Sequence, residues 1–343
     1  MNTQALAGRS PMAFRQIGQR LLRQTWERLQ TLPTDAAKSL PKLIAPLLGL
    51  CVFLLLWQLL AARVETSLGN FPGPTEVYEQ ASNLWAEHKA EMERADAFYA
   101  RQEARNEALL ARNPNADVRI RDYTGKPTFI DQIGTSLITV ATGFLIGSAI
   151  AIPLGIVIGL SPTMYAAMNP VIQLLRPVSP LAWLPLVTIV VAATYQSADP
   201  LFAKSFLVSA ICVLLCSLWP TLVNTAVGAS SVSSDLVNVS RVLRLSKLTH
   251  IVKIVLPSSV PMIFAGLRLS LGVAWMVLIA SEMLAQNPGL GKFVWDEFQN
   301  GSSQSLGRIM VAVVVIGLIG FLLDRGMLAL QRAVSWDKTA ILR

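Results

Sequence analysis

The residues able to do acid–base, redox or metal chemistry are sparse in this chain and far apart. Its two histidines, His88 and His250, fall in hydrophilic stretches on opposite sides of a predicted membrane, so they offer no metal site. Cys51, Cys212 and Cys216 all lie in apolar runs. Cys212 and Cys216 are one helical turn apart, a spacing that suits packing rather than a disulfide framework. A G-x-x-x-x-G-K-[ST] loop for nucleotide phosphates is missing: the nearest fragment, Pro288-Gly289-Leu290-Gly291-Lys292, lacks the first glycine and continues with Phe293. No carboxylate pair, Ser-His arrangement or flavin fingerprint stands out either, so no catalytic residue, metal or bound cofactor is expected.

What remains is a set of polar groups in apolar surroundings: Arg268, Glu282, Thr135, Ser136, Ser148, Ser217, Asn224 and Ser281. An ionisable side chain inside a membrane is costly and marks function by default. The planar guanidinium fork of Arg268 matches planar oxyanions such as nitrate and carbonate. Arg268, Asn224 and Ser281 are candidate substrate-path residues, although a structural role near the cytoplasmic end is the preferred reading of Arg268. Glu282 lies 14 residues beyond Arg268, about 21 Å along a helix, too far to be its direct partner on one helix.

These groups need a scaffold that holds them in lipid, and the composition supplies one. The chain has 343 residues, 53% hydrophobic and only 15% charged, against about 25% charged in soluble domains. Uncharged runs near the roughly 20 residues a bilayer requires predict an all-α polytopic membrane protein with about six transmembrane helices. The first is 43–62. From 132 to 175 there is no charge, and Ser161-Pro162 breaks that run after a helix over 133–160. A short third span covers 180–194, a fourth 206–227 and a fifth 258–285, the last interrupted by Arg268 and Glu282. The sixth runs from 309 to 323 and ends at Asp324-Arg325.

Orientation follows from where Lys and Arg collect in short segments. The leader, 1–42, carries seven of them against two acids, too much sequence before the first apolar run for a cleaved secretory signal. The stretch between the fourth and fifth spans carries Arg241, Arg244, Lys247 and Lys253 against Asp235. Both read as cytoplasmic, which puts both termini inside, and Arg332, Lys338 and Arg343 of the 331–343 tail agree. The net charge of +8 is thereby explained by topology, and no nucleic-acid partner is expected.

A hydrophilic insert, 63–131, with 9 Lys/Arg and 12 Asp/Glu, follows the first span and is expected outside. After the rigid Phe71-Pro72-Gly73-Pro74, with Thr75 as cap, a helix is predicted to about Leu110. Val77, Ala81, Leu84, Met92, Ala95, Tyr99 and Leu109 form its thin apolar stripe. The stripe could fold against the rest of the protein or dock a partner. Residues 111–127 read as loop.

The basic segment 234–257 is amphipathic. Ser234 can cap a helix with Asp235 in its first turn; Leu236, Val239, Val242 and Leu243 form one side, and Asn238, Ser240, Arg241 and Arg244 mostly the other. Ser246 opens a second short helix that Pro257 stops. Such a surface element could lie on anionic lipid, serve only as a topology signal, or plug into a cytosolic partner.

Ile254-Val255-Leu256-Pro257 followed by Val260-Pro261 resembles the cytoplasmic EAA loop of type I ABC importer permeases. Aligned on Leu256-Pro257, the family's E-A-A falls on Asn238-Val239-Ser240 and its glycine on Arg244, departures that resemble the nitrate and nitrite branch. Arg176-Pro177-Val178-Ser179-Pro180-Leu181-Ala182-Trp183-Leu184-Pro185 resembles the R-P-x-x-P-L-A-W-L-P of nitrate, bicarbonate and taurine permeases. Ser217-Leu218-Trp219-Pro220 with Asn224-Thr225-Ala226-Val227-Gly228, then Ser281-Glu282-Met283-Leu284, Gly289-Leu290-Gly291 and Leu323-Asp324-Arg325, complete the likeness over 43–331, the insert excepted.

The resemblance implies a permease core over 132–330 and a bacterial inner-membrane subunit without its own ATPase site. Its implied partners are a second permease copy, two cytosolic ATPase subunits that use the ATP, and a periplasmic or lipid-anchored binding protein. Leu236, Asn238, Val239, Ser240, Arg241, Val242, Leu243 and Arg244 would form the ATPase-coupling helix. The implied cargo is a small anion, nitrate or nitrite first, then bicarbonate, cyanate or taurine and other sulfonates. A stand-alone channel or secondary transporter is the alternative class, and no clear repeat of the first three spans in the last three favours it.

Overall fold

The computed structural model describes residues 34–66, 69–113, 117–196 and 201–334. Residues 1–33 of the basic leader and the tail from 335, with Lys338 and Arg343, lie outside the described residues. The chain divides into two compact units, residues 1–66 and 67–343. In the first, α1 (Thr34–Ala61) is a 28-residue helix. It starts nine residues before the uncharged run at Leu43 and continues through Pro41. A strand of two residues, Glu65–Thr66, follows.

The second unit opens with a two-residue strand, Gly69–Asn70, followed by α2 (Pro74–Arg112). Gly73, not Thr75, is its N-cap, and Pro74 takes the first helical turn, where a missing N–H costs nothing. Only the first part of the expected stripe meets the bundle: Val77 and Leu84 are buried, while Met92, Tyr99 and Leu109 are exposed. The segment after α2 is irregular, as expected, yet it runs back along the helix. Gln102 exchanges two hydrogen bonds of 2.8 Å with the Arg121 backbone, Tyr123 bonds Glu91 and Tyr99, and His88 meets Thr128 at 2.7 Å.

Thr128 then caps α3 (Phe129–Leu160) in a reciprocal box with Asp131. Ser161 caps α4 (Pro162–Leu175), and Ser179 caps α5 (Pro180–Thr194). At 14 and 15 residues each is only about 21–23 Å long, too short to cross about 30 Å of hydrocarbon. They meet at 98°, so the expected third span is half of a bent pair. With five helices long and apolar enough to cross on their own, the described residues offer five or six spans.

α6 (Lys204–Ser230) lies at the centre and packs against α3 on one side and α9 (Leu256–Ala285) on the other. In lipid there is little hydrophobic drive between helices, so close backbone approach must supply the contact. Gly143, Gly147, Ala151, Gly155 and Gly159 recur every four residues along α3 and make that approach possible. A Cβ on Gly143 would stand 2.6 Å from the Ala210 carbonyl oxygen, and one on Gly155 would stand 2.7 Å from that of Leu222. Across the other face of α6, next to Pro220 in the helix interior, the Thr221 amide donates to Ser270 Oγ of α9 at 3.0 Å. Ala151, Ile158, Ile172, Trp219, Leu222 and Ala226 form one apolar core on this scaffold.

Between α6 and α9 come α7 (Ser234–Val242) and α8 (Lys247–His250). Ser234 is the first residue of α7 rather than its cap, a place held by Ser233 without a side-chain bond. Pro257 does not stop the second helix. A π-helical turn over Ile251–Val255 closes on Leu256 N–H to Ile251 C=O, and its extra residue leaves room for the proline ring. Lys247 to Ala285 is consequently one continuous 39-residue helical rod. α10 (Leu290–Asn300) and α11 (Ser305–Val334) complete the chain, and α11 continues past Asp324-Arg325 instead of ending there.

Candidate functional site

Three regions hold the residues singled out by sequence, and they lie at different levels of the rod. The first is α7. Its first turn holds Asp235, which suits the helix dipole, and Arg241 sits in its last turn. Ser240 is buried and meets His250 Nδ1 at 2.8 Å, so α7 is fastened to the start of the rod. Leu236, Val239, Val242 and Leu243 face away and are uncovered, Val242 82% and Leu243 63% exposed. Leu248 and Val252 on the rod extend the same uncovered surface. Asn238, Arg241 and Arg244 are exposed beside it. Arg244 has φ +47°, the left-handed conformation that ends a helix and that glycine adopts without strain.

The second region surrounds Arg268. Its guanidinium forks onto Asp324 of α11, Nε to Oδ1 at 2.5 Å and Nη2 to Oδ2 at 2.9 Å. The bidentate pair satisfies the fork and supports the structural reading of Arg268. Asn224 donates to the Pro220 carbonyl at 2.8 Å, and its Cβ faces Gly266. Ser281 lies 13 residues beyond Arg268, about 20 Å along the helix, and is buried. The three proposed path residues therefore do not converge on one point.

The third region was only half legible. Glu282 is wholly buried, and its partners come from three elements. Ser136 of α3 bonds both carboxylate oxygens, at 2.9 and 2.8 Å; Gly291 N–H of α10 donates at 3.0 Å; Asn287 Nδ2 stands 3.5 Å away and also 3.3 Å from Thr139. Ser136 accepts in turn from Leu290 N–H at 2.8 Å. The carboxylate thus occupies the N-terminus of α10, where unpaired amides and the helix dipole favour an anion. This explains Gly289 and Gly291: a side chain on Gly289 would enter the space of the carboxylate, and one on Gly291 would meet the Ile279 carbonyl. Sequence reasoning flagged Ser136, Glu282 and the glycines separately but had no signal that joined them; Asn287 went unread. It also missed the four-residue glycine spacing of α3, which was visible.

Outside the spans, the Glu91 carboxyl is held below its ordinary value, chiefly by its hydrogen bond with the Tyr123 hydroxyl, and the same bond raises the Tyr123 phenol.

Against known proteins, residues 151–336 match the family described as binding-protein-dependent transport system inner membrane component. The chain is 37% identical over 295 residues to the nitrate import permease protein NrtB of Synechocystis sp., covering 86% of this chain and 90% of that one. It is 34% identical over 296 residues to the bicarbonate transport system permease protein CmpB of Synechococcus elongatus, again covering 86% and 90%. A solved structure of the MetNI methionine ABC transporter in an inward facing conformation overlays with a TM-score of 0.46 at 15% identity, covering 60% of this chain and 95% of that one.

Proposed function

The chain belongs to the family of binding-protein-dependent transport system inner membrane components, and on that footing we propose that it is the permease subunit of an ATP-driven importer for nitrate or nitrite. Relatives named as nitrate permeases support this choice of cargo. Bicarbonate is the second reading, favoured by the relatives named for it; nitrate and bicarbonate are both flat, singly charged oxyanions.

The observation that carries the mechanism is the uncovered ridge of Leu236, Val239, Val242 and Leu243 on a helix fastened to the rod by Ser240 and His250. An apolar ridge of this kind fits a groove of a cytosolic ATPase subunit, as amphipathic helices fit grooves elsewhere. Closure of that subunit on ATP would push α7, and the Lys247–Ala285 rod would carry the displacement through the membrane as a rigid element. In this reading α7 and both termini are cytoplasmic and the insert is outside. The subunit works as a pair on two ATPases, with a binding protein delivering the anion. ATP is hydrolysed by the partner chains. Arg268 holds α9 to α11, and the substrate path takes its polar lining from other groups, Ser281 among them.

The test is ATP hydrolysis by the whole complex in lipid nanodiscs with its binding protein present, measured with nitrate, nitrite, bicarbonate, cyanate and taurine in turn. Stimulation by nitrate or nitrite is expected. Stimulation by bicarbonate alone would move the assignment to the second reading, and uptake without any ATPase would place the chain in the channel class instead.

A further inference from the structure

α11 carries an exposed apolar strip that ends in charge. Val314, Leu318 and Phe321 are 45%, 55% and 55% exposed and follow one another at spacings of four and three. Arg325 and Arg332 continue the same line at four and seven residues, and both are exposed. Neither has an ion-pair partner among the described residues. The adjacent carboxylate, Asp324, is engaged by the fork of Arg268. The Arg325 guanidinium instead stands 5.0 Å from the centroid of the Phe321 ring, one turn back along the helix.

Depth along the helix decides what meets these charges. At the opposite end Arg308, in the first turn of α11, donates through Nη1 to Glu297 of α10 at 3.1 Å and through Nη2 to Glu87 of α2, so that end stands in polar surroundings. From Arg308 to Arg325 is 17 residues, about 26 Å, and to Arg332 24 residues, about 36 Å. A hydrocarbon layer about 30 Å thick that begins at Arg308 therefore ends between the two arginines. Arg325 lies roughly one turn inside that boundary, which its long side chain can reach, and Arg332 roughly one turn outside it.

We propose that this end of α11 is a binding site for an acidic phospholipid, with the phosphate between Arg325 and Arg332 and an acyl chain along Phe321, Leu318 and Val314. The charge of the site selects the lipid. Asp324 and Arg268 offset each other, which leaves two positive charges for a headgroup of net negative charge, whereas a zwitterionic lipid brings its own cation. The guanidinium forks match phosphate oxygens, and the ring of Phe321 holds one of them in place. Because Arg325 directly follows Asp324, a lipid held there sits beside the pair that ties α11 to α9. Binding at this place is independent of the cargo and of the direction in which the chain crosses the membrane.

The test titrates the full-length permease in detergent with phosphatidylglycerol or phosphatidylcholine by native mass spectrometry, and follows its thermal unfolding in nanodiscs of phosphatidylcholine with and without phosphatidylglycerol. Phosphatidylglycerol is expected to bind in preference and to raise the unfolding temperature. Arg325→Gln should lower its affinity about fivefold, the effect of one basic residue at an anionic surface, and removal of both Arg325 and Arg332 about 25-fold. Lys253→Gln, which removes the same charge from an exposed position on the rod, should leave the affinity unchanged. Inorganic phosphate and nitrate, added to the protein in detergent, separate the sources of the anion, and neither should stabilise it. Stabilisation by either ion to the same extent as by the lipid would show a free-anion site and overturn the lipid assignment. Equal binding of the two lipids, as when a second copy covers this face, or an equal loss in Lys253→Gln, overturns the site itself.

Discussion

Replacing Leu243 by Asp tests the coupling surface most directly. Leu243 is 63% exposed at the end of α7, and its neighbours Val239 and Val242 are exposed too. Complete burial of a leucine side chain contributes about 1.5–3 kcal/mol, so covering the exposed part in an ATPase groove contributes about 1–2 kcal/mol. Aspartate forfeits that gain and puts a carboxylate into the contact, which adds a desolvation cost of about 1–3 kcal/mol. At 1.4 kcal/mol per tenfold, a total of about 2–5 kcal/mol weakens the contact by roughly 30- to 4000-fold. The permease itself should be spared, because an exposed position far from the core changes stability by about 0.5 kcal/mol or less. The assay pairs recovery of the ATPase on affinity-tagged permease with anion uptake by cells and the unfolding temperature of the purified permease. Loss of ATPase and uptake with an unchanged unfolding temperature is expected. Wild-type uptake by Leu243→Asp, or a fall in unfolding temperature that matches the loss of ATPase, would refute the reasoning.

Arg244→Gly should raise stability slightly, by about 1 kcal/mol or less, because φ +47° strains a side-chain-bearing residue and suits glycine; thermal unfolding checks it. Gly155→Val forces a branched side chain to within 2.7 Å of the Leu222 carbonyl and should cost about 1–3 kcal/mol, whereas Gly134→Ala, with nothing within 4 Å, should be neutral or stabilising. The same melting measurement separates the two. The Glu91–Tyr123 bond sets a pH window for the insert. Glu91 is lowered on folding, so its contribution is present above the ordinary carboxyl value of 4.5 and is lost as pH falls through its lower folded value. Tyr123 is raised, so its contribution is present below the ordinary phenol value of 10.0 and is lost as pH rises through its higher folded value. Hydrogen exchange of the insert should quicken beyond both limits, and Tyr123→Phe should remove the high-pH limit and weaken the low-pH one, which Arg94 beside Glu91 still sustains.

Much of the fold was legible because lipid imposes a simple rule on the chain. Backbone groups must be satisfied within each segment, so long uncharged runs such as those in α3 and α6 had to be helices. Caps were read less well: Ser246 does accept from the Thr249 amide, but Thr75 and Ser234 lie inside the first turns of their helices, and the Thr128 box with Asp131 was not read. Element boundaries set by a tertiary choice were not legible. Pro257 looked like a stop until the π turn before it carried the helix through, and the expected span over 180–194 became one arm of a pair bent at 98°.

The sequence alone determined the solvent, the helical class and the amphipathic ridge of α7, since hydropathy, charge and a period of 3.6 residues are local properties. Its motifs also reached the family. Only the tertiary structure decided what the isolated charges do, because a charge's role depends on which group from another helix stands within about 3 Å of it. Arg268 could have met an anion; the fold gives it Asp324, 56 residues away. Glu282 had no visible partner, and the fold supplies Ser136 from 146 residues earlier and the amide of Gly291. Arg308, unremarked in sequence, becomes the point where three helices meet.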